Sequence, residues 1–246
     1  MVAIRRLYSI YCIAIFGVLF LLLLPFFLIF IQRKSWHSSG VWLNHIWSQA
    51  FCILCLVPVK REFHFKIDKS RNYIFCANHF SYFDIALMSL IPIPFAFVGK
   101  VSMSRIPVFG YMYRKLHILV DRNNSRSRYD TFQRSVETLE EGLSLTIFPE
   151  GGIKSKNLPK MSSFKTGAFR TAILTNTPIV PVTIPYNWLF LPDDGKFLPS
   201  PRRLKMVFHE PIDPSEYTIE TLNELNSRVF DIIAEELDRL NSNEGH

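Results

Sequence analysis

Cysteine is scarce in this 246-residue chain: Cys12, Cys52, Cys55 and Cys76 are the four present. They form no disulfide framework. Cys52 and Cys55 have the spacing of a redox or zinc pair, but they lie in an apolar segment with no second pair of ligands nearby, so no metal and no other cofactor is implied. A Gly-x-Ser-x-Gly elbow is also missing, and with it the usual signature of a serine-borne covalent intermediate. There is no internal repeat and no low-complexity tract. Acidic residues are outnumbered, 21 against 28 basic, for a net charge of +7 and an isoelectric point near 9.3. The basic residues are not interleaved with a stacking platform or a nucleic-acid-binding motif, so no nucleic acid is expected as a partner. Attraction to anionic lipid head groups explains them more simply, each basic residue near a membrane surface contributing about 1 kcal/mol.

Charge is absent altogether from Leu7 to Gln32. Such a run exceeds the roughly 20 residues that cross a bilayer as a helix. It is too long for a signal peptide and lacks the small-residue cleavage site, so membrane insertion is expected. Arg5 and Arg6 flank it on one side and Arg33 and Lys34 on the other, which leaves orientation undecided by charge. Pro25 could kink the helix. A second segment, Val41 to Val59, carries Trp42, Trp47, Phe51, Leu54 and Leu56, interrupted by Asn44, His45, Ser48 and Gln49. That mixture suits an interfacial helix or the returning arm of a hairpin, with Ser38-Ser39-Gly40 as the turn. Residues 1–59 therefore read as membrane-anchoring helices and 60–246 as a separate domain.

Beyond Lys60 strands and helices alternate, which predicts an α/β fold. Strands are expected at Phe63–Ile67, Tyr73–Ala77, Phe95–Val98, His117–Val120, Leu145–Phe148 and Ile179–Ile184, with Leu204–Phe208 at an edge. Helices are expected at Ser81–Leu90, around Phe109–Lys115, across Tyr129–Leu143, at Phe164–Thr175 and at Ile219–Leu240. The proline- and charge-rich stretch Leu191–Arg203 reads as a surface excursion. The loops that follow strand ends would share one ligand crevice.

The most informative stretch is Asn78-His79-Phe80-Ser81-Tyr82-Phe83-Asp84. Five residues along a straight helix would turn two side chains roughly 140° apart. His79 and Asp84 can meet only if His79 lies in the turn and Asp84 in the first helical turn, with Ser81 or Asn78 as cap. They would then form a general base and the carboxylate that fixes its tautomer.

Further motifs follow in order: Gly99-Lys100, Ile106-Pro107-Val108-Phe109-Gly110, Ile118-Leu119-Val120-Asp121-Arg122, Phe148-Pro149-Glu150-Gly151, Phe164-Lys165-Thr166-Gly167-Ala168 and Ile179-Val180-Pro181-Val182. Across about residues 60 to 210 this order resembles the glycerolipid acyltransferase family, whose best-known members acylate lysophosphatidic acid. There is one departure. The family usually continues Glu-Gly with Thr-Arg-Ser, whereas Gly152-Ile153-Lys154-Ser155 stands here. Lys154 is a point charge without the bidentate fork of the arginine missing at Ile153.

The resemblance implies a mixed, mostly parallel sheet flanked by helices, with an N-terminal membrane-associated helical hairpin. It implies transfer of a fatty acyl group from acyl-ACP or acyl-CoA to the free hydroxyl of a lysophospholipid, foremost 1-acylglycerol-3-phosphate, by direct attack in a ternary complex. His79 would be the base and Asp84 its orienting partner. Lys100 and Arg122 would hold an anionic acceptor. Glu150 would contact the glycerol hydroxyls or brace a basic partner, with Gly151 in the same loop and Lys154 and Lys165 as further contacts. Oxyanion donors would come from the helix start or the Gly151-Gly152 loop. Membrane lipids are expected as surroundings, with the domain on the cytoplasmic face, where thioesters are made. The competing readings are the same chemistry on a lyso-aminolipid, motivated by Ile153, and a non-catalytic membrane scaffold.

Overall fold

The computed structural model describes residues 2–121 and 124–243. Two helices, α1 (Val2–Phe30) and α2 (His37–Leu54), lead into β1 (Val59–Phe63), β2 (Ile74–Ala77), α3 (Phe83–Met88), β3 (Phe95–Lys100), α4 (Phe109–Leu116) and β4 (Ile118–Val120). Then come α5 (Ser125–Glu140), β5 (Ser144–Ile147), α6 (Gly167–Thr175), β6 (Ile179–Thr183), α7 (Asn187–Phe190), β7 (Leu204–Phe208) and α8 (Leu222–Asn243). The strands form one sheet in the order β1-β7-β6-β2-β5-β3-β4. Every neighbouring pair is parallel except β6 with β7. The α/β architecture with a mostly parallel sheet is thus as the sequence predicts.

Strand β2 sits at the centre and is buried along its whole length. A parallel strand covered on both faces must be apolar throughout, and Ile74-Phe75-Cys76-Ala77 is. Its alternation splits the core in two. Phe75 and Ala77 join Leu87 and Met88 of α3 on one face. Ile74 and Cys76 join Phe169 of α6 and Leu225, Val229 and Ile233 of α8 on the other.

Three expectations are corrected. The first strand is Val59–Phe63, not Phe63–Ile67: Val59 to Phe63 pair in register with Leu204 to Phe208, while Phe65 belongs to a loop and packs on Tyr73. β7 lies inside the sheet, between β1 and β6, and β1 takes the edge. The hairpin turn falls at Ile31–Trp36, and Ser38-Ser39-Gly40 lies within α2. Gly40 is there for close approach: a Cβ on it would stand 2.9 Å from Leu116 Cδ2 and 3.4 Å from Phe30 Cβ.

Helix α1 continues through Pro25 and is ~43 Å long at 1.5 Å per residue. It is long and apolar enough to cross a membrane, and its most apolar window is only 6% buried. Antiparallel to α2, it runs along the domain and is fastened near both ends. Toward its start, the Arg5 guanidinium donates to the Leu198 and Pro199 carbonyls and Ser9 Oγ to Phe197 O. Tyr8 and Tyr11 donate to the carbonyls of Cys55 and Leu54 at 2.7 and 2.9 Å. Toward its other end Phe27 packs with Met112, Leu116 and Leu143, and just past that end Lys34 pairs with Glu141 at 3.0 Å. Ile4, Leu7, Ile10, Ile13, Leu21 and Leu22 are left exposed.

Candidate active site

The carboxyl ends of β6, β2, β5, β3 and β4 lie along one edge of the sheet, where open α/β folds place their ligands. β2 ends at Ala77, and the chain turns through Asn78 to Tyr82 before α3 begins at Phe83. Asp84 therefore falls in the first helical turn and His79 in the loop, the arrangement their spacing requires. His79 Nδ1 stands 2.9 Å from Asp84 Oδ2. A carboxylate only accepts, so Nδ1 carries the proton and Nε2 presents its lone pair. The His79 ring stacks on Phe148 at a centroid distance of 4.1 Å and retains 11% side-chain exposure.

Asp84 is fully buried and saturated with donors. Oδ2 also accepts from the N–H groups of Phe80 and Ser81 at 2.8 and 2.9 Å, and Oδ1 accepts from Asn187 Nδ2 at 2.8 Å. The N-cap position of α3 is Tyr82, whose side chain makes no cap bond, while Ser81 Oγ, one residue earlier, accepts from Phe83 N–H at 3.1 Å. Asn78 is no cap. Its side chain forms two bonds with the Ile184 backbone, 2.9 and 2.7 Å long, and locks the end of β2 to the end of β6.

Glu150, in the loop after β5, is fully buried. Its Oε1 accepts from His79 N–H at 2.7 Å, and Oε2 accepts from Ser162 N–H and Oγ at 2.8 and 2.9 Å. Burial pushes its pKa up, against the pull of these donors. With both oxygens engaged by the protein, Glu150 braces backbone, where the sequence suggested glycerol hydroxyls or a basic partner. Gly151 and Gly152 follow at φ +77° and +142°, a region open to glycine at little cost. The N–H groups of His79, Phe80 and Ser81 serve carboxylates, and that of Gly151 donates to Phe148 O at 3.0 Å. The amides of His79, Phe80 and Ser81, just before α3, are therefore engaged by the protein.

The predicted basic residues lie on separate elements. Lys100 ends β3 and is exposed; Lys154 and Lys165 are exposed on the loop after β5, where Lys165 N–H donates to Pro149 O at 2.8 Å. Arg122 lies outside the described residues. Asn187 and Ser162, which complete the two carboxylate environments, were not found from the sequence. Asn187 is 103 positions from its partner, and its only signal is a polar residue just beyond a strand end. Among the described residues no group of His, Cys, Asp and Glu could hold a metal ion.

Beside Tyr82 and Phe83 lies a cavity of about 380 Å³, bounded by the hairpin, α3, β3, α4 and the Leu191–Pro199 stretch. Its walls are largely apolar, among them Phe16, Phe51, Phe97, Met112 and Phe190. Tyr82 stacks on Phe197 at 6.0 Å, and Ser81 Oγ donates to Leu191 O at 2.8 Å, so the excursion after α7 frames one side.

Residues 59–185 match the model of a family described as Acyltransferase. A chloroplastic 1-acyl-sn-glycerol-3-phosphate acyltransferase of Arabidopsis thaliana is 29% identical over 157 residues, 63% of this chain but only 43% of that protein. The chain thus spans less than half the length of that relative. The 1-acyl-sn-glycerol-3-phosphate acyltransferase of Haemophilus influenzae is 28% identical over 224 residues, 86% of each chain. The crystal structure of the 1-acyl-sn-glycerophosphate (LPA) acyltransferase from Thermotoga maritima shares the fold, with a TM-score of 0.77 at 23% identity over 96% of this chain and 98% of that one.

Proposed function

This chain belongs to the acyltransferase family, and we propose that it moves a fatty acyl group from acyl-ACP or acyl-CoA to the free hydroxyl of 1-acylglycerol-3-phosphate, giving phosphatidic acid. The observation that carries the reading is the His79–Asp84 contact at 2.9 Å, with Nε2 left for a substrate. An alcohol is a poor nucleophile until a base takes its proton during attack. Nε2 of His79 accepts that proton as the hydroxyl oxygen adds to the thioester carbonyl, and Asp84 stabilises the imidazolium. Collapse of the tetrahedral adduct breaks the carbon–sulfur bond, and the departing thiolate takes the proton back. Oxyanion donors come from backbone N–H groups at the start of α3 or in the Gly151-Gly152 loop. Lys100, Lys154 and Lys165, with Arg122, supply positive charge for the acceptor phosphate, and the apolar cavity takes the acyl chain.

Residues 1–59 form the membrane seat and 60–246 the acyltransferase domain. Both ends of α1 are held by the same domain, so the hairpin lies in one leaflet with its exposed Ile, Leu and Phe side chains in the lipid. The domain faces the cytoplasm, where thioester donors are made. A second reading keeps the chemistry and changes the acceptor to a lyso-aminolipid, favoured by Ile153 where the family carries arginine.

The test is an assay of the purified protein with each thioester donor and both acceptors. Acylation of lysophosphatidic acid is expected; if it stays unacylated while the lyso-aminolipid reacts, the second reading replaces the first. His79→Ala is expected to lower kcat by about 10²–10⁴-fold with binding to lipid vesicles unchanged. Undiminished transfer by that variant removes His79 as the base.

A further inference from the structure

The wall of the cavity is not apolar throughout. Asn44 and Ser48, one helical turn apart on α2, both line it, as do Trp47 and His117, the residue before β4. All are buried, Asn44 with 9% of its surface exposed and Ser48 with 7%. Phe97 N–H donates to His117 Nδ1 at 3.3 Å, and burial pushes the imidazole pKa down to about 3. The neutral ring therefore carries its proton on Nε2. The atom placed 3.4 Å from that nitrogen is Asn44 Nδ2; a donor on Nε2 requires the amide to be flipped so that its oxygen faces the ring. The amide –NH₂ is then left without a partner among the described residues, as is the Ser48 hydroxyl. The Trp47 indole N–H is buried without one as well.

We propose that this cluster recognises an oxygen on the acyl chain, so that the enzyme prefers a donor hydroxylated partway along its chain to the plain saturated donor. The inference rests on the reading that the cavity holds the acyl group. A hydroxyl accepts from the Asn44 amide and exchanges a hydrogen bond with Ser48; a methylene in the same place leaves both unpaired and dry. A site built around hydrogen-bonding groups discriminates strongly against the analogue lacking the oxygen. Depth fixes the position. Phe51 meets Phe83, next to Tyr82, with ring centroids 5.9 Å apart, and Asn44 precedes Phe51 by seven residues on α2. At 1.5 Å per residue Ser48 lies ~4.5 Å and Asn44 ~10 Å farther along α2 than Phe51, which places the recognised hydroxyl partway along the chain and away from the thioester.

The experiment is a competition on the full-length protein between a saturated long-chain acyl thioester and isomers with one hydroxyl moved along the chain. Wild type is expected to favour a mid-chain isomer by about tenfold in kcat/KM. Asn44→Leu is expected to bring the ratio to parity and Ser48→Ala to lower it partway. The ratio is internal to each preparation, so partial loss of folded protein in one variant leaves it readable. Equal or better use of the saturated donor by wild type overturns the proposal, and so does a ratio that neither variant moves. Failure to transfer any acyl chain is a different result, since it overturns the acyltransferase reading itself.

Discussion

Two buried carboxylates hold the same short stretch of backbone. Asp84 gathers the amides of Phe80 and Ser81, and Glu150 takes that of His79. His79 is thus positioned through its ring on one side and its main chain on the other. The Asp84 half was legible in the sequence because it is local: five positions, one turn and one helix start determine it. The Glu150 half was not, because its role depends on β5 lying beside β2 and on Ser162 folding back onto the loop. Glu150→Gln tests the brace. The carboxylate offers only acceptors, whereas the amide turns an –NH₂ group toward either His79 N–H or Ser162 N–H. One buried amide then loses its acceptor, at about 1–3 kcal/mol. The expected result is a lower denaturation midpoint and a fall in kcat with little change in KM for the donor. Wild-type kcat in that variant shows that the His79 backbone does not need the brace.

At the scale of elements, the strands and helices of the domain followed from apolar runs and helical spacing, because burial on both faces of a parallel sheet writes itself into composition. The misplaced pieces share one cause. β1 has no distinctive alternation and exists because Leu204–Phe208 lies beside it. Gly40 reads as turn chemistry, but a glycine required by a neighbouring helix looks the same in sequence as one required by a turn. Substitution separates the two. Gly40→Ala gains about 1 kcal/mol of helix propensity and crowds the movable end of Leu116 while meeting Phe30 Cβ at the edge of ordinary contact, so it is expected to leave stability nearly unchanged. Gly40→Val adds bulk that the α2–α4 contact cannot absorb and is expected to cost about 1–3 kcal/mol. Denaturant unfolding in detergent measures both. If Val is tolerated as well as Ala, the close approach of the helices is not what selects glycine here.

For the whole molecule, hydropathy marks α1 as long and apolar enough to cross a membrane but carries no information on which of its sides rests on the domain; Arg5, Tyr8 and Lys34 decide that through partners far away in sequence. The fold as a unit also responds to acid. Away from the hairpin, burial pushes His117 down to about 3 and His209 down to about 4, from an ordinary 6.5. His209 Nε2 lies 2.8 Å from Thr183 Oγ1, and the ring is faced by His64, Glu62, Glu236 and Arg239. As pH falls below 6.5 the unfolded chain protonates both imidazoles while the folded chain keeps them neutral. The stability they contribute is therefore complete above 6.5 and drains away toward 4, with a slope approaching about 1.4 kcal/mol per pH unit for each histidine. Glu150 works the other way, since its raised pKa lets the folded state take up a proton first. Glu62 is held down to about 2, chiefly by Lys205, and adds its own loss only below its ordinary 4.5. Between pH 6.5 and 4.5 the two histidines outweigh the single carboxyl, and the urea midpoint is expected to fall across that window. His117→Asn and His209→Asn should each flatten the decline. A midpoint independent of pH there, or one that rises, shows that these rings are protonated in the folded protein and reach water.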